Sequence, residues 1–535
     1  MRLRWIARMI GALGAVLPLA ASPPQARLAD WLTDGADAHR TAWQQHETAL
    51  SPTTVRGMTR LWMIHLDNVP RQMHALFPPL IAGRVTTPGG TKQIAVVAGV
   101  SDNLYGIDVE AGSLLWQRHF DRGFRLPFDG RPRSTLCPGG LTATPVIAPS
   151  ETPGSYVAYV ASWDGRLRTV DVATGVEVQP PAKFLPPDGK PYSLNLWEGV
   201  IYTATAEHCG DNPDLVYAYD LASKTTATFA PRGGGMWGRS GPSIGEDGTV
   251  YAGTGNGDFD PRIRLFGQAI IGVTYDRVTR KLRLKDYFAP PNAAWMTDHD
   301  LDMNVTGPVF SYKGRELIVQ SSKECRLWLL DTAGLGGAGH RTAAYTTPVM
   351  CNELAQLESA GVWGALATWE DAAGTRWIAS PFWGPKHSQF TAPVEHGPVV
   401  HGAVAAFTVA DENGSLRLVP RWISRDMNRA NPPVVANGVV FGYGAGESTR
   451  QSWTTTRRID PTQGRIAEST HAVIYALDAA TGEELWSSGD EIVSWNHFSG
   501  LSVANGRVYI GTYDGNLYCF GVKDAPVTLQ RPSSW

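Results

Sequence analysis

Short apolar segments alternate with polar turns along most of the chain, and one such unit recurs. Residues 474–486, IYALDAATGEELW, comprise a short apolar strand, a turn from Asp478 to Gly482, and a second strand that ends in Trp486. This pattern predicts a β-hairpin and leaves no room for a helix. Related copies lie at residues 104–116, 167–177, 216–223 and 327–334.

Repeat-like units of this kind follow one another at irregular spacing, because the connecting loops vary in length. They lie near residues 94–118, 155–178, 198–226, 248–288, 315–332, 363–424, 433–489 and 500–522. Each unit has the size of a small antiparallel sheet that cannot bury both faces alone. The units must therefore pack on one another.

The two ends of the array indicate a closed ring. The last unit, residues 508–521, stops after its strand, whereas residues 60–68 form a strand with no preceding repeat. Pairing these ends would complete one blade and leave no exposed edge, which predicts an all-β, eight-bladed β-propeller closed by the N-terminal strand. The alternative is an unrelated leader strand, whose deletion would leave thermal stability almost unchanged.

The tryptophan of the repeat is predicted to be structural. Trp486 and its counterpart Trp116 follow a tight turn at a fixed offset. We expect each ring to lie between neighbouring blades, with its nitrogen bonded to a backbone carbonyl. Gly482 and Gly112 supply the backbone freedom that the turn needs.

Composition agrees with an all-β globular chain. Among 535 residues there are 57 Gly, 37 Pro and 19 Trp, which supply many turns and aromatic anchors. The net charge of -3 gives no support to nucleic-acid binding or to a polybasic membrane patch. Five cysteines at positions 137, 209, 325, 351 and 519 lack CxxC spacing, which argues against covalent haem and a zinc ribbon. One or two disulfides with an odd thiol are expected, and their pairing stays open.

The first residues predict a secretory signal peptide. Arg2, Arg4 and Arg8 precede an apolar run at residues 9–21 that is too short to span a bilayer, with cleavage expected between Ala20 and Ala26. A buried N-terminal helix is the alternative. The predicted organisation is a signal peptide at 1–26, a leader at 27–58, the propeller at 59–523 and a tail at 524–535. We therefore expect a periplasmic or secreted protein with no stable membrane span.

The repeat A-x-D-x-x-T-G-x-x-x-W resembles the tryptophan-docking motif of quinoprotein dehydrogenases, eight-bladed propellers that hold pyrroloquinoline quinone (PQQ) and a calcium ion. The resemblance extends over nearly all of the mature chain, and residues 495–518 are similar to the family's last blade. Related propellers, including an outer-membrane assembly lipoprotein, share the motif without a quinone. The repeat is therefore stronger evidence for the fold than for the cofactor.

The resemblance implies a cofactor site between the repeats. Trp237 would form the floor under PQQ, and Lys323 would contact the quinone. Glu207, Asn256 and Asp302 would bind Ca²⁺, for which oxygen ligands are suited. Of the three acids in WMTDHDLDMN (Asp298, Asp300 and Asp302), Asp302 matches the catalytic Asp best; it would remove the alcohol proton while hydride passes to PQQ.

Each of these residues also has a structural interpretation. The acids fit a solvated loop, Asn256 fits a glycine turn, Trp237 fits one more indole between blades, and Lys323 fits the surface. The chain also departs from the family, since it lacks the vicinal cysteine pair, the Arg that follows that pair, and the first-blade Glu expected near residues 76–81. Histidines 387, 396 and 401 have no metal-ligand spacing and are expected in loops or the core.

Two functions of different class remain. The first is an exported PQQ- and Ca²⁺-dependent dehydrogenase that oxidises an alcohol-like substrate. Because no haem motif is present, it would need an external electron acceptor such as a separate cytochrome c. The second is a non-catalytic propeller that serves as a protein-interaction scaffold in the cell envelope.

Overall fold

Eight antiparallel sheets form the blades of a β-propeller in this computed structural model, which describes residues 29–125, 136–355, 359–449 and 461–523. The predicted signal peptide and C-terminal tail lie outside the described residues. Each of the eight predicted repeat units falls on a different blade. The predicted eight-bladed propeller is therefore confirmed.

The blades are numbered from the N-terminal side, and each contains four antiparallel strands. In blades 1 to 4 these are Leu80–Thr87, Gly90–Gly99, Asn103–Asp108 and Ser113–His119; Val146–Pro149, Tyr156–Ala161, Arg166–Asp171 and Glu177–Lys183; Asn195–Trp197, Val200–Ala204, Val216–Asp220 and Thr225–Phe229; and Ser243–Ile244, Val250–Gly253, Ile270–Asp276 and Lys281–Phe288. In blades 5 to 8 they are Val309–Tyr312, Arg315–Ser321, Leu327–Asp331 and Tyr345–Thr346; Ala367–Glu370, Arg376–Trp383, Gly402–Glu412 and Ser415–Ile423; Ala430–Ala436, Val439–Gly444, Val473–Asp478 and Glu484–Ser487; and Leu501–Ala504, Arg507–Gly511, Asn516–Val522 and Met58–His65.

Short elements supplement the blades. Trp43–Gln44 joins blade 7 and Val394–Glu395 joins blade 6, both in parallel, and two small sheets pair Phe259–Asp260 with Leu265–Phe266 and Val305–Thr306 with Gly364–Ala365. The α-helices within the described ranges are Ala293–Asp298 and Pro461–Glu468, and the 3-10 helices are Thr54–Gly57, Cys209–Asp211, Pro261–Ile263, Gly337–Gly339 and Gly489–Glu491. No helix among them is long and apolar enough to cross a bilayer.

Blade 8 closes the ring from both ends of the chain. Met58–His65 pairs antiparallel with Asn516–Val522, with Met58 opposite Val522 and His65 opposite Asn516. The closure predicted from the repeat ends is confirmed, and the alternative of an unrelated leader strand is wrong. The strand covers 58–65 rather than the predicted 60–68.

Tryptophans join neighbouring blades as predicted for Trp116, whereas Trp486 packs on Phe520 of blade 8 at 5.6 Å between ring centroids and makes no such hydrogen bond within the described residues. The indole nitrogen of each joining tryptophan donates to a backbone carbonyl in the turn of the next blade, and its ring lies where a side chain on the turn glycine would stand. The pairs are Trp62 with Val109 O at 2.9 Å, Trp116 with Val172 O at 3.0 Å and Trp422 with Ala479 O at 3.1 Å. The glycines are Gly112, Gly175 and Gly482.

Gly482→Ala is expected to destabilise the protein more than Gly414→Ala. Both glycines have a left-handed backbone, with φ of +75° and +84°, so each alanine incurs strain of about 1–2 kcal/mol. At Gly482 the added Cβ would also lie 2.6 Å from the Trp422 ring, whereas at Gly414 nothing lies within 4 Å. The overlap adds about 1–3 kcal/mol. Urea unfolding followed by fluorescence measures both, and equal losses would contradict interblade docking.

An N-terminal belt, residues 29–44, contacts the first strand of every blade or the residues flanking it. Trp31 exchanges two backbone hydrogen bonds of 2.8 Å with Ile81 of blade 1, and its side chain is fully buried. The belt therefore covers sheet edges that would otherwise carry unpaired backbone groups. Its further contacts, from blade 2 to blade 8, are with Ile147, Leu194, Asn195, Ile244, Val309, Thr368, Val435, Val503 and Asn505.

Two disulfides cross-link loops of the propeller. Cys137 pairs with Cys209 and Cys325 pairs with Cys351, whereas Cys519 is a buried free thiol in blade 8. The expectation of one or two disulfides and one odd cysteine is confirmed. Burial raises the pKa of the Cys519 thiol far above its usual value.

Candidate functional site

A cavity of about 700 Å³ brings together all five side chains predicted for the cofactor site. Most of its lining residues belong to segments that precede the first strand of a blade or follow its second strand. Because these strands are antiparallel, both segments lie at the same end of each blade. The five residues that converge there from blades 3, 4 and 5 are Glu207, Trp237, Asn256, Asp302 and Lys323.

Asp302 and Lys323 form a buried ion pair at the centre of this set. Lys323 Nζ lies 2.5 Å from Asp302 Oδ2, and the backbone N–H of Asn256 donates to Asp302 Oδ1 at 2.6 Å. Gly255 allows the close approach, since a Cβ on it would lie 2.5 Å from Asp302 Oδ1. Lys323 is therefore a buried partner of the acid rather than a surface lysine.

The three acids of the loop occupy different environments. Asp298 is exposed at the end of its helix and does not line the cavity. Asp300 is intermediate: it contacts Lys323 at 3.5 Å, Asn256 donates to it, and burial raises its pKa. Asp302 is buried and faces the cavity. The geometry thus singles out Asp302, the residue chosen from the sequence.

Glu207 is a partly buried carboxylate with one buried, unpaired oxygen. Its Oε1 has no hydrogen-bond partner within the described residues, and a buried acceptor left in this way is costly. Burial raises the pKa of Glu207 to about 7, opposed by Lys190 and reinforced by Asp302. The disulfide from Cys209 to Cys137 ties down its loop.

Glu207 is expected to make the ligand-free protein less stable as pH rises. Its carboxyl holds a proton more tightly in the folded state than an exposed glutamate does, whose usual pKa is 4.5. Its favourable contribution is full below about pH 4.5 and is lost as pH rises through about 7, a change of up to about 3 kcal/mol. Glu207→Gln should remove this dependence. Urea unfolding of both chelator-treated proteins at about pH 5 and about pH 8 measures the change in the free energy of unfolding. An equal change in the two proteins would contradict the prediction.

Trp237 lies close to two ammonium groups. Lys190 Nζ is 5.4 Å and Lys323 Nζ is 5.9 Å from its ring centroid. Lys190 is buried, has no hydrogen-bond or ion-pair partner among the described residues, and has a pKa lowered by burial. An indole face close to cations suits a flat, anionic ligand.

Three stacked aromatic rings form a second wall. Trp363 lies 4.7 Å from Trp383 at an interplanar angle of 17°, and Phe498 lies 6.0 Å from Trp383 at 9°. Lys323 Nζ is 5.0 Å from the Trp363 centroid, so this wall lies next to the ion pair of Lys323 with Asp302. The repeat pattern does not single out these three rings in the sequence.

The residues offer an incomplete metal site by themselves. Within the described ranges, no three His, Cys, Asp or Glu side chains come together in a group able to hold a metal ion. Asn256 Oδ1 already accepts from Gln268, and Asp302 accepts at both oxygens, which leaves the unpaired oxygen of Glu207 as the freest oxygen ligand. A cation here would need additional oxygens from a bound ligand.

Histidines 387, 396 and 401 lie outside the cavity and contact different partners. His387 approaches Glu353 at 4.0 Å, His396 contacts Thr481 O at 2.9 Å, and His401 pairs with Asp426 at 2.7 Å. These are separate loop contacts.

Comparisons with known proteins agree with this architecture. The PQQ-repeat family model described as outer membrane protein assembly factor BamB matches residues 470–532, and a search of curated proteins finds no match. The solved structure of a europium-containing methanol dehydrogenase is similar at 13% identity, covering 92% of this chain and 98% of that one, with a TM-score of 0.58.

Two further structures show the same fold. The quinohemoprotein alcohol dehydrogenase of Comamonas testosteroni is 15% identical, and the quinohemoprotein alcohol dehydrogenase ADHIIG of Pseudomonas putida HK5 is 13% identical. Each comparison covers 95% of this chain and 82% of the other, with a TM-score of 0.55. At such identities the likeness shows the fold. The predicted resemblance is confirmed at the level of the fold: this chain is an eight-bladed β-propeller with the fold of the quinoprotein alcohol dehydrogenases, and its residues 470–532 match the PQQ-repeat model.

Proposed function

We propose that the protein is an exported dehydrogenase that oxidises an alcohol-like substrate with PQQ and Ca²⁺ bound in the cavity. The observation that carries this proposal is the convergence of Glu207, Trp237, Asn256, Asp302 and Lys323 on one cavity of about 700 Å³. Such a volume is typical of a ligand site in which a few polar groups face an otherwise aromatic wall.

The chain's residues fit this cofactor pair. Trp237 supplies a flat face, while Lys190 and Lys323 supply charges that complement a polyanion. Glu207, Asn256 and Asp302 would hold Ca²⁺, and the unpaired oxygen of Glu207 would gain a partner. When bound, PQQ supplies a two-electron acceptor and Ca²⁺ supplies a Lewis acid.

Asp302 performs the proton step in this proposal. A carboxylate oxygen of Asp302 accepts the hydroxyl proton of the substrate as the substrate loses hydride and becomes a carbonyl compound. Lys323 and the Asn256 N–H hold this carboxylate in place. The stack of Trp363, Trp383 and Phe498 keeps water from one side of the cavity.

Quinone binding tests the proposal directly. Purified protein mixed with PQQ and CaCl₂ should retain quinone absorbance after gel filtration and should reduce a dye when alcohols are added. Trp237→Ala should lose retention, whereas Trp295→Ala, an exposed indole outside the cavity, should retain quinone. No retention at micromolar PQQ would reject the enzyme and favour the interaction scaffold, the alternative to which the BamB-type repeat match lends support.

A further inference from the structure

His497 and Glu447 form a buried pair at the cavity that the proposed function does not use. His497 precedes the first strand of blade 8, and Glu447 follows the second strand of blade 7. His497 Nδ1 lies 2.8 Å from Glu447 Oε1, which also contacts Arg465. The Glu447 side chain is fully buried, and His497 is 8% exposed and lines the cavity.

The pair fixes which nitrogen of His497 carries a proton. Burial raises the pKa of Glu447, but the charges and hydrogen bonds of His497 and Arg465 outweigh it and hold that pKa below its usual value. An ionised carboxylate can only accept, so the Nδ1–H of His497 donates to it. In the neutral ring, Nε2 is then an acceptor, and it has no partner among the described residues.

Charged and titratable groups face His497 from several elements. Burial lowers its pKa, Glu447 raises it, and Arg465 and Lys190 lower it further. The ring of His74 lies 4.9 Å away, and burial together with these neighbouring cations holds the pKa of His74 well below its usual value. On balance the pKa of His497 is lowered, because burial and the cations outweigh Glu447, and its neutral form is favoured.

Phe498, the next residue, packs on the His497 ring and belongs to the aromatic wall. Phe498 has a left-handed backbone, with φ of +50°, which is strained for a bulky residue and is found where a site positions a side chain. Its ring lies 4.4 Å from His497 and 6.2 Å from Trp363, which in turn contacts Lys323. The wall therefore connects the His497 pair to the Asp302 pair across one cavity.

We propose that His497, oriented by Glu447, accepts a hydrogen bond from a hydroxyl of the ligand held in this cavity. Asp302 and His497 then serve as two acceptors on the same ligand. Taken with the proposed function, on which this part rests, the substrate is an alcohol with a second hydroxyl. His497 binds that hydroxyl, and Glu447 is the positioning residue.

Carbethoxylation of histidine by diethyl pyrocarbonate, followed peptide by peptide with mass spectrometry, tests the pair without any cofactor. The reagent attacks neutral imidazole, so the rate at His497 should fall about tenfold per pH unit below its pKa. In Glu447→Gln this fall should move to lower pH, because the charge that raises the pKa is gone. Asp426→Asn, which alters the exposed pair with His401 instead, should leave the profile of His497 unchanged. No reaction at His497, or identical profiles, would overturn the proposal.

Protection of the wild-type protein gives a second readout, which is needed because Glu447→Gln leaves Arg465 without its buried partner. Glycerol should slow the modification of His497 more than 1-propanol does at equal concentration, and neither should protect His401. Equal protection by the two alcohols would overturn the second-hydroxyl assignment. Neither readout uses PQQ, so a failure of quinone binding and a failure of this proposal are distinguishable.

Discussion

Replacing Asp302 with asparagine is expected to lower alcohol-dependent dye reduction by about 10²–10⁴-fold while the fold stays intact. Asparagine has the same shape and still offers an oxygen to the N–H of Asn256, which donates to Asp302 at 2.6 Å. It cannot accept a proton as a carboxylate does. Initial rates with saturating PQQ and Ca²⁺ measure the loss, and circular dichroism checks the fold.

Two neighbouring acids provide matched controls. Asp298→Asn should leave turnover unchanged, because this residue is exposed outside the cavity. Asp300→Asn should have an intermediate effect, since Asp300 contacts Lys323 at 3.5 Å without being its nearest partner. A larger loss in Asp300→Asn than in Asp302→Asn would mean that the proton acceptor is Asp300. Full turnover in Asp302→Asn would reject the assignment.

Asp34→Ala is expected to destabilise the protein by about 3–5 kcal/mol, because it leaves a buried cation without its partner. Asp34 belongs to the N-terminal belt and is 1% exposed. Its Oδ1 lies 2.9 Å from Arg239 Nη2, and Ser193 Oγ donates to its Oδ2 at 2.7 Å. Urea unfolding followed by tryptophan fluorescence measures the change.

An exposed ion pair serves as the comparison. Glu483→Ala removes the partner of Arg56 at 3.2 Å, but both side chains are more than half exposed. Exposed pairs contribute at most about 1 kcal/mol. Similar losses in the two variants would show that the belt does not anchor the blades through Asp34. Arg239 also lines the cavity, so Asp34→Ala should weaken quinone retention as well.

The propeller was predictable because its repeat carries two independent signals, one for the strands and one for the contact between blades. The hairpin pattern predicts the strands, and the glycine and tryptophan at fixed offsets predict how blades meet. Trp116, Trp62 and Trp422 all bond the turn of the next blade, as the repeat requires. Closure followed from the unpaired strands at the two ends.

The belt and half of the cavity were not predictable from local patterns. The belt bonds largely through backbone groups, so no side-chain periodicity encodes its path. Glu447 and His497 come from loops of the consecutive blades 7 and 8, and Lys190, from the segment before blade 3, comes near them because the ring closes. Their one sequence signal is position, since each lies just before a first strand or just after a second strand. The roles of the five cavity residues foreseen from the family resemblance stay predictions.

The belt also links the beginning of the described chain to its end. Ala29 exchanges hydrogen bonds of 2.7 and 2.8 Å with the side chain of Asn505, across 476 residues of sequence. During synthesis, residues 29–44 emerge before any blade, yet their last partners emerge after seven blades. Because such distant contacts form late, the contact of Ala29 with Asn505 forms only once blade 8 has formed. Protease sensitivity near Ala29 should therefore report, in a refolding experiment, whether blade 8 has assembled.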